Sequence, residues 1–203
     1  MARGKIGSIM TKTLGKKLIK GIFRVATWPL YILLSLLSRT GNADRAFSTF
    51  SQLLSLIPGK TGIYIRGAFY SQACPDTSDE IVVGFLTLLS HRDTTIKRGV
   101  YIGPQCNIGT CTIGENTLLG SGVHILSGKK QHNFDDLAIT IKQQGGVFTK
   151  IEIGSDCWIG NCSTIMAAVG SHSIIAAASV VTKDVEKQVI AAGHPARVIK
   201  KRD

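Results

Sequence analysis

IGPQCNIGTCTIGENTLLGSGVH, residues 102–124, decides the fold. Ile102, Ile108, Ile113 and Leu119 recur at a spacing of six, with one step of five, and each is followed by Gly. Neither the 3.6-residue period of an amphipathic helix nor the two-residue alternation of a half-buried strand describes this pattern. A six-residue period is the mark of a parallel β-helix. In such a solenoid the aliphatic residue fills the interior, and a small residue or Gly after it permits a tight corner. Each coil buries its apolar row only against its neighbours, so the core grows along one axis. The same unit returns as IGSDCW (153–158), IGNCST (159–164), VGSHSI (169–174) and IAAASV (175–180), with IKRGVY (96–101) as a weaker lead-in. Position five of the units stays small, at Cys106, Thr112, Thr117, Val123, Cys157, Ser163, Ser173 and Ser179. A β-sandwich rich in Gly turns would instead show longer strands with plain alternation.

The repeat is interrupted once, by ILSGKKQHNFDDLAITIKQQGGVFTK at 125–150. A polar insertion on a regular solenoid is where function concentrates. It carries His132, with Asp135 and Asp136 close behind. His is the side chain suited to accepting a proton near neutral pH. His124 stands at position six of a repeat unit, which points outward, so it is a second candidate for the same cleft. Asp135 or Asp136 is placed to orient an imidazole.

Upstream, the composition divides the chain. The net charge is +11, from 24 Lys+Arg against 13 Asp+Glu. Residues 1–39 carry eight of those cations (Arg3, Lys5, Lys12, Lys16, Lys17, Lys20, Arg24 and Arg39) and no acid. The rest of the chain is nearly neutral, with 16 basic residues against 13 acidic. The charge therefore marks a segment that meets an anionic surface, and it excludes a whole domain that grips nucleic acid. Ile6, Ile9, Met10, Leu14, Leu18, Ile19, Ile22 and Phe23 share one helical face, with cations mostly on the other. VATWPLYILLSLLS (25–38) follows, uncharged, with Trp28 and Tyr31 near its entrance. Fourteen helical residues reach about 21 Å, short of a ~30 Å hydrocarbon core, and Pro29 is expected to interrupt them. The expectation is an amphipathic anchor lying on a membrane; a helix packed on the body or on a neighbouring subunit is the alternative. The basic stretch is too long, and lacks a small-x-small cleavage site, for a signal peptide.

Residues 42–57 read as a helix capped by Asn42 and ended by Pro58-Gly59. GIYIRGAFY (62–70) is ambiguous between helix and strand, and 71–80 reads as a polar loop. The domain reading is a helical membrane-associated segment at 1–40, a helical lead-in at 41–80, and a β-helix at 81–203 with the insertion at 125–150. Four of the five cysteines occupy repeat positions where small apolar residues belong, so they read as buried thiols. No CxxC metal spacing occurs.

DCWIGN (156–161), ASVVTKDV (178–185) and AAGHPARVIKK (191–201) resemble the hexapeptide-repeat acyltransferases, the left-handed β-helix family of sugar, antibiotic and serine acetyltransferases. The resemblance covers 83–203 in full and the upstream helices only loosely. It implies a mainly β, left-handed parallel β-helix with an N-terminal helical extension, assembled as a homotrimer with active sites between subunits. It implies transfer of an acyl group from acetyl-CoA or another acyl-CoA to a hydroxyl, with His132 as general base; His124 and Asp135 stay as alternative candidates to assist it. Matched motif by motif, it places Asn161, Ala177, Thr182, Lys183, Arg197 and Lys200 against CoA, with Lys183, Arg197 and Lys200 suited to its phosphates. Trp158 looks like the family's wall residue. IMAAVG (165–170) lacks two residues and the Pro of the usual step, and IAAASV has Ala where Gly is usual, so an irregular coil is expected there. The implied acceptor is a sugar, a polysaccharide precursor or a lipid-linked glycan, at the cytoplasmic face of a membrane. A γ-carbonic-anhydrase-like metalloenzyme is disfavoured, because His91, His124, His132, His172 and His194 yield no ligand triad by spacing; no metal is expected. A non-catalytic trimeric scaffold held at a membrane is the other alternative. A nucleic-acid partner is not expected.

Overall fold

The computed structural model describes residues 2–202, with side chains described for 15–39 and 41–202. Of the amphipathic segment, the side chains of Arg3, Lys5, Ile6, Ile9, Met10, Lys12 and Leu14 lie outside the described residues.

Three helices precede the solenoid: α1 (Ala2–Thr40), α2 (Ala43–Ser55) and α3 (Gly59–Ala73). Pro29 does not interrupt α1, which runs through it unbroken. The uncharged stretch is thereby joined to the residues before it, and Gly15–Arg39 is a 25-residue segment long and apolar enough, by length and composition, to cross a membrane. At 1.5 Å per residue that segment is about 37 Å long, so it matches the membrane thickness that 25–38 alone falls short of. One face of α1 packs inward. Phe23 stacks on Tyr64 with ring centroids 5.3 Å apart, Thr27 accepts a hydrogen bond from Gln72 Nε2 at 2.7 Å, and Leu34 is fully buried. The other face leaves Leu18, Ile22, Val25, Trp28 and Leu36 in solvent.

Asn42 caps α2, its Oδ1 accepting from the amides of Asp44 and Arg45. The ambiguous stretch 62–70 is helical, as part of α3. Its register is fixed by Arg66, which is fully buried. Arg66 Nε donates to the Val83 carbonyl (2.9 Å), and Nη1 donates to the carbonyls of Leu54 (2.9 Å) and Ile57 (2.8 Å). One guanidinium thus joins α2, α3 and the first coil. Burial lowers its pKa below the ordinary arginine value.

From Val82 the chain winds as a parallel β-helix with three faces. The first carries Val82–Val83, Tyr101–Ile102, Leu118–Leu119, Trp158–Ile159 and Ile174–Ile175 in register. The second carries Leu88–Leu89, Asn107–Ile108, His124–Ile125, Thr164–Ile165 and Val180–Val181. The third carries Thr95–Ile96, Cys111–Ile113 and Ile151–Ile153, continued by bridges at Val169 and Val185. On the first two faces the second residue of each pair is buried and the first points outward.

The Gly that follows each aliphatic residue has a reason other than corner flexibility. A Cβ on Gly154 or Gly160 would lie 2.4 Å from the backbone nitrogen of Ser171 or Ala177 in the next coil. Close stacking of coils excludes a side chain there. The left-handed backbone falls later in the corner, at Asn116, Asp156, His172 and Gln188. Position five is small because it bridges coils from inside. Thr117 Oγ1 donates to the Gly154 carbonyl (2.7 Å) and accepts from Cys157 N (3.1 Å). Thr112 is an exception. Its unit is one residue short, so Cys111 takes the buried place and Thr112 pairs outward with Thr95 and Glu152. The shortened IMAAVG step is also regular: Ala167 is buried, and Asp184 Oδ1 accepts from Ala168 N at 3.0 Å. The coil stays in register across it. The last coil turns back as an antiparallel hairpin, Val189–Gly193 with Ala196–Lys201.

Candidate active site

The insertion folds as a closed hairpin. Its outgoing limb leaves the second face at Leu126 and its return limb rejoins the third at Ile151. Three backbone rungs hold the limbs together: Thr149 N to Ser127 O (2.9 Å), Val147 N to Lys130 O (2.7 Å) and Asn133 N to Gly145 O (2.9 Å). Gly146 is required, since a Cβ there would lie 1.9 Å from the Gln131 carbonyl oxygen. At the tip, Gln144 Oε1 accepts from Asp136 N, while Nε2 donates to the carbonyls of Asp136 and Ile139. Thr140 and Gln143 form a capping box on a single 3₁₀ turn at Ile141–Gln143.

His132 lies between the second and third rungs, with its side chain exposed. No hydrogen bond joins Asp135 to His132 among the described residues. Asp136 accepts from Ala138 N (2.8 Å) and shapes the tip instead. His124 is on the second face, facing outward beside Asn107. His124 and Asn107 line a cavity of ≈160 Å³ at the foot of the hairpin, with Ser90, His91, Ser127 and Gln131. Gln131 is the residue before His132, which itself does not line this polar cleft; the cleft holds the imidazoles of His91 and His124.

His91 is the residue that sequence reading missed. Its Nδ1 is 2.9 Å from Ser90 Oγ, and its ring lies 5.4 Å from that of Phe148 on the return limb. The signal for it was the step from Leu89 to Ile96, seven residues where the repeat allows six.

The residues matched to CoA contacts are distributed over two faces. Asn161 and Ala177 stand at the corner that leads into the second face. Asn161 Oδ1 accepts from Ser121 N (3.1 Å), and its carbonyl accepts from Ala178 N (2.8 Å). Thr182 and Lys183 stand at the corner that leaves that face, where the Thr182 carbonyl accepts from Lys129 Nζ of the insertion at 3.0 Å. These four flank the outward row Asn107, His124, Thr164 and Val180. On the far side of the hairpin's base a recess of ≈530 Å³ is lined by Lys129, Lys130, Lys150, Met166, Ala168 and Asp184 among others. Trp158 is half-exposed on the first face, beside Leu118 and Ile174, and is not brought to His132 within this chain. Arg197 and Lys200 are exposed on the terminal hairpin, Lys200 paired with Ile190.

Of the four repeat cysteines expected to be buried, Cys106, Cys111 and Cys157 are and Cys162 is not. Burial raises the pKa of Cys106, Cys111 and Cys157 and pushes the Cys74 thiol up to about 12, so these stay protonated and unreactive. Cys162 is exposed. Among the described residues, no group of three or more His, Cys, Asp or Glu gathers as metal ligands. One further polar cluster lies outside the cleft. His172 Nδ1 is 3.0 Å from Asp156 Oδ2, and Arg202 Nη1 donates to the His172 carbonyl at 3.0 Å. The His172 hydrogen bond, aided by the Arg202 charge, holds the Asp156 carboxyl below its usual value.

Comparison with known proteins agrees with this architecture. The bacterial transferase hexapeptide (six repeats) family profile matches residues 93–127. Galactoside O-acetyltransferase of Escherichia coli (strain K12) is 37% identical over 95 residues, which are 45% of this chain and 44% of that protein. The chain thus spans less than half the length of this curated relative. A maltose O-acetyltransferase from Clostridium difficile 630 superposes with a TM-score of 0.69 at 21% identity, covering 81% of this chain and 90% of that one. A galactoside acetyltransferase in complex with coenzyme A superposes with a TM-score of 0.66 at 22% identity, covering 80% and 84%. By its repeat, its three-faced coil and these likenesses, the chain has the left-handed β-helix fold, built on the bacterial transferase hexapeptide repeat.

Proposed function

We propose that the chain is an acyl-CoA-dependent O-acyltransferase, with acetyl-CoA as donor and a sugar hydroxyl as acceptor. The observation that carries this reading is the single hairpin that breaks the solenoid and carries an exposed His132 next to Gln131, which lines a polar cleft with His91 and His124. In this reading the imidazole of His132 takes the proton of the acceptor hydroxyl as its oxygen attacks the thioester carbonyl. Collapse of the tetrahedral intermediate then breaks the C–S bond, and the proton returns to the departing CoA thiolate. His124 and Asn107 face the cleft as groups for holding the acceptor. Asn161, Ala177, Thr182 and Lys183 border the face along which the donor would lie. Trp158 and Lys200 reach such a site only from a neighbouring copy, which favours a trimer with sites between subunits. The exposed apolar row Tyr101, Leu118 and Trp158 suits that contact. His132→Ala should lower kcat by ~10²–10⁴ without changing the oligomer, measured as CoA release beside analytical ultracentrifugation. Near-normal turnover would overturn the mechanism.

The helical layer adds a place. Lys16, Lys17 and Arg24 sit on α1 with the solvent-facing Leu18, Ile22, Val25 and Leu36, a combination that suits an anionic membrane surface. We infer that α1 attaches the protein to the cytoplasmic face of a membrane, which favours a lipid-linked or polysaccharide-precursor acceptor. Replacing Ile22, Val25 and Leu36 together by Ser should abolish co-sedimentation with phosphatidylglycerol vesicles. Undiminished binding would sink the assignment.

A further inference from the structure

Residues 91–93 join three parts of the molecule that lie far apart in sequence. His91 and Asp93 face the return limb of the hairpin. The His91 ring contacts Phe148 at 5.4 Å, and Asp93 Oδ1 accepts from Lys150 Nζ at 2.7 Å. Lys150 Nζ also reaches Thr95 Oγ1 at 3.3 Å. Arg92, between them, faces the helices. Its amide donates to Asp44 Oδ1 in the first turn of α2 (2.8 Å), and its Nε donates to the Ala73 carbonyl at the end of α3 (2.9 Å). The corner is also fastened to the next coil, since Thr110 Oγ1 donates to the Asp93 carbonyl at 2.6 Å.

The return limb in turn carries the outgoing limb. Val147, the residue before Phe148, makes a rung to Lys130, and Gly145 makes one to Asn133, on either side of His132. An exposed ion pair alone contributes little, about 0–1 kcal/mol. The ring contact of His91 with Phe148 supplies the area and direction that the Asp93–Lys150 pair lacks. Ser90 Oγ lies 3.2 Å from the Ile108 carbonyl, to which it donates its single proton. The hydrogen bond between Ser90 Oγ and His91 Nδ1 (2.9 Å) holds the orientation of the imidazole under Phe148.

We propose that the His91–Asp93 corner is the positioning element of the insertion, His91 acting through its ring contact with Phe148 to set His132 in place. This rests on the reading of His132 as the base. It also means that the helical layer, held by Arg92, and the hairpin are registered by one three-residue corner.

The test uses the full chain. One readout is CoA release from acetyl-CoA with a galactoside acceptor. The other, free of any substrate, is the rate of trypsin cleavage at Lys142 in the hairpin. His91→Ala should lower kcat by about 10-fold to 10²-fold, as expected for a misplaced base, with KM for acetyl-CoA unchanged. It should also speed cleavage several-fold. His91→Phe keeps a ring against Phe148 and should restore the slow cleavage of the wild type. Asp93→Asn should speed cleavage more weakly. If His91→Phe is cleaved as fast as His91→Ala, the imidazole acts by its nitrogens and the proposal falls. Wild-type cleavage and turnover in His91→Ala also overturn it. An active His132→Ala would instead remove the base reading, and the cleavage rates would still decide whether the corner holds the hairpin.

Discussion

The coils and the hairpin inserted between them are held by opposite means. A coil residue such as Ile159 is fully buried, stacked between Leu119 and Ile175, and the same arrangement recurs above and below it. The hairpin buries almost nothing: Leu137 is 98% exposed, and the limbs are held by backbone rungs, a glutamine at the tip and contacts at the base. Apolar burial gives the coil cooperative stability that few single polar changes disturb. Polar closure gives the hairpin a defined shape with little apolar burial, so that segment can open locally without disturbing the core.

The contrast can be tested by substitution. Ile159→Ala should cost ~2–5 kcal/mol in chemical denaturation, through lost transfer energy and the cavity left behind. A loss under about 1 kcal/mol would mean that the coil relaxes around the gap, against the close packing argued here. The Asp156–His172–Arg202 cluster ranks next. Its carboxyl is depressed in the folded state, so its contribution is full above the ordinary carboxylate value of about 4 and is lost as pH falls through the lower folded value. Asp156→Asn should therefore narrow the stability difference between neutral and acid pH in melting curves. A difference identical to wild type would show that the pair does not couple to folding. The smallest effect is expected at the hairpin tip. Leu137→Ser should leave global stability within about 0.5 kcal/mol. A larger loss would reveal a hidden role in the fold and would blur the division between the two regions.

The coil was legible because each aliphatic position repeats one physical requirement, and reading it needed no knowledge of distant contacts. Glycine was read correctly as a marker but for an incomplete reason. The clash that a Cβ on Gly160 would make with Ala177 belongs to the next coil and appears only once coils are stacked. Thr112 counts as position five in the sequence pattern, but the one-residue-short unit gives the buried place to Cys111. The helical state of 62–70 was undecidable from its mixture of Gly, β-branched and aromatic residues; the clamp of Arg66 on Leu54, Ile57 and Val83 decides it, and those carbonyls are remote in sequence. Pro29 misled in the opposite direction, since tertiary packing of α1 on α3 carries the helix through it. His132 is a candidate base because it sits in the one break of the repeat. His91 was missed, because its partner Phe148 lies 57 residues on and only the winding of the coil brings them together.

The antiparallel turn of the last strand pair has a consequence for assembly. A stack of parallel coils is open-ended by construction, and a bare terminal coil offers its unpaired amides and carbonyls to any strand that arrives, including the first coil of another molecule. Here Val189–Gly193 is occupied by Ala196–Lys201 running the opposite way, and the outer strand carries Arg197, Lys200 and Lys201. The opposite end is covered by α2 and α3. Both ends of the stack are covered, one by a strand bearing cations and the other by helices, and this disfavours end-to-end growth of coils.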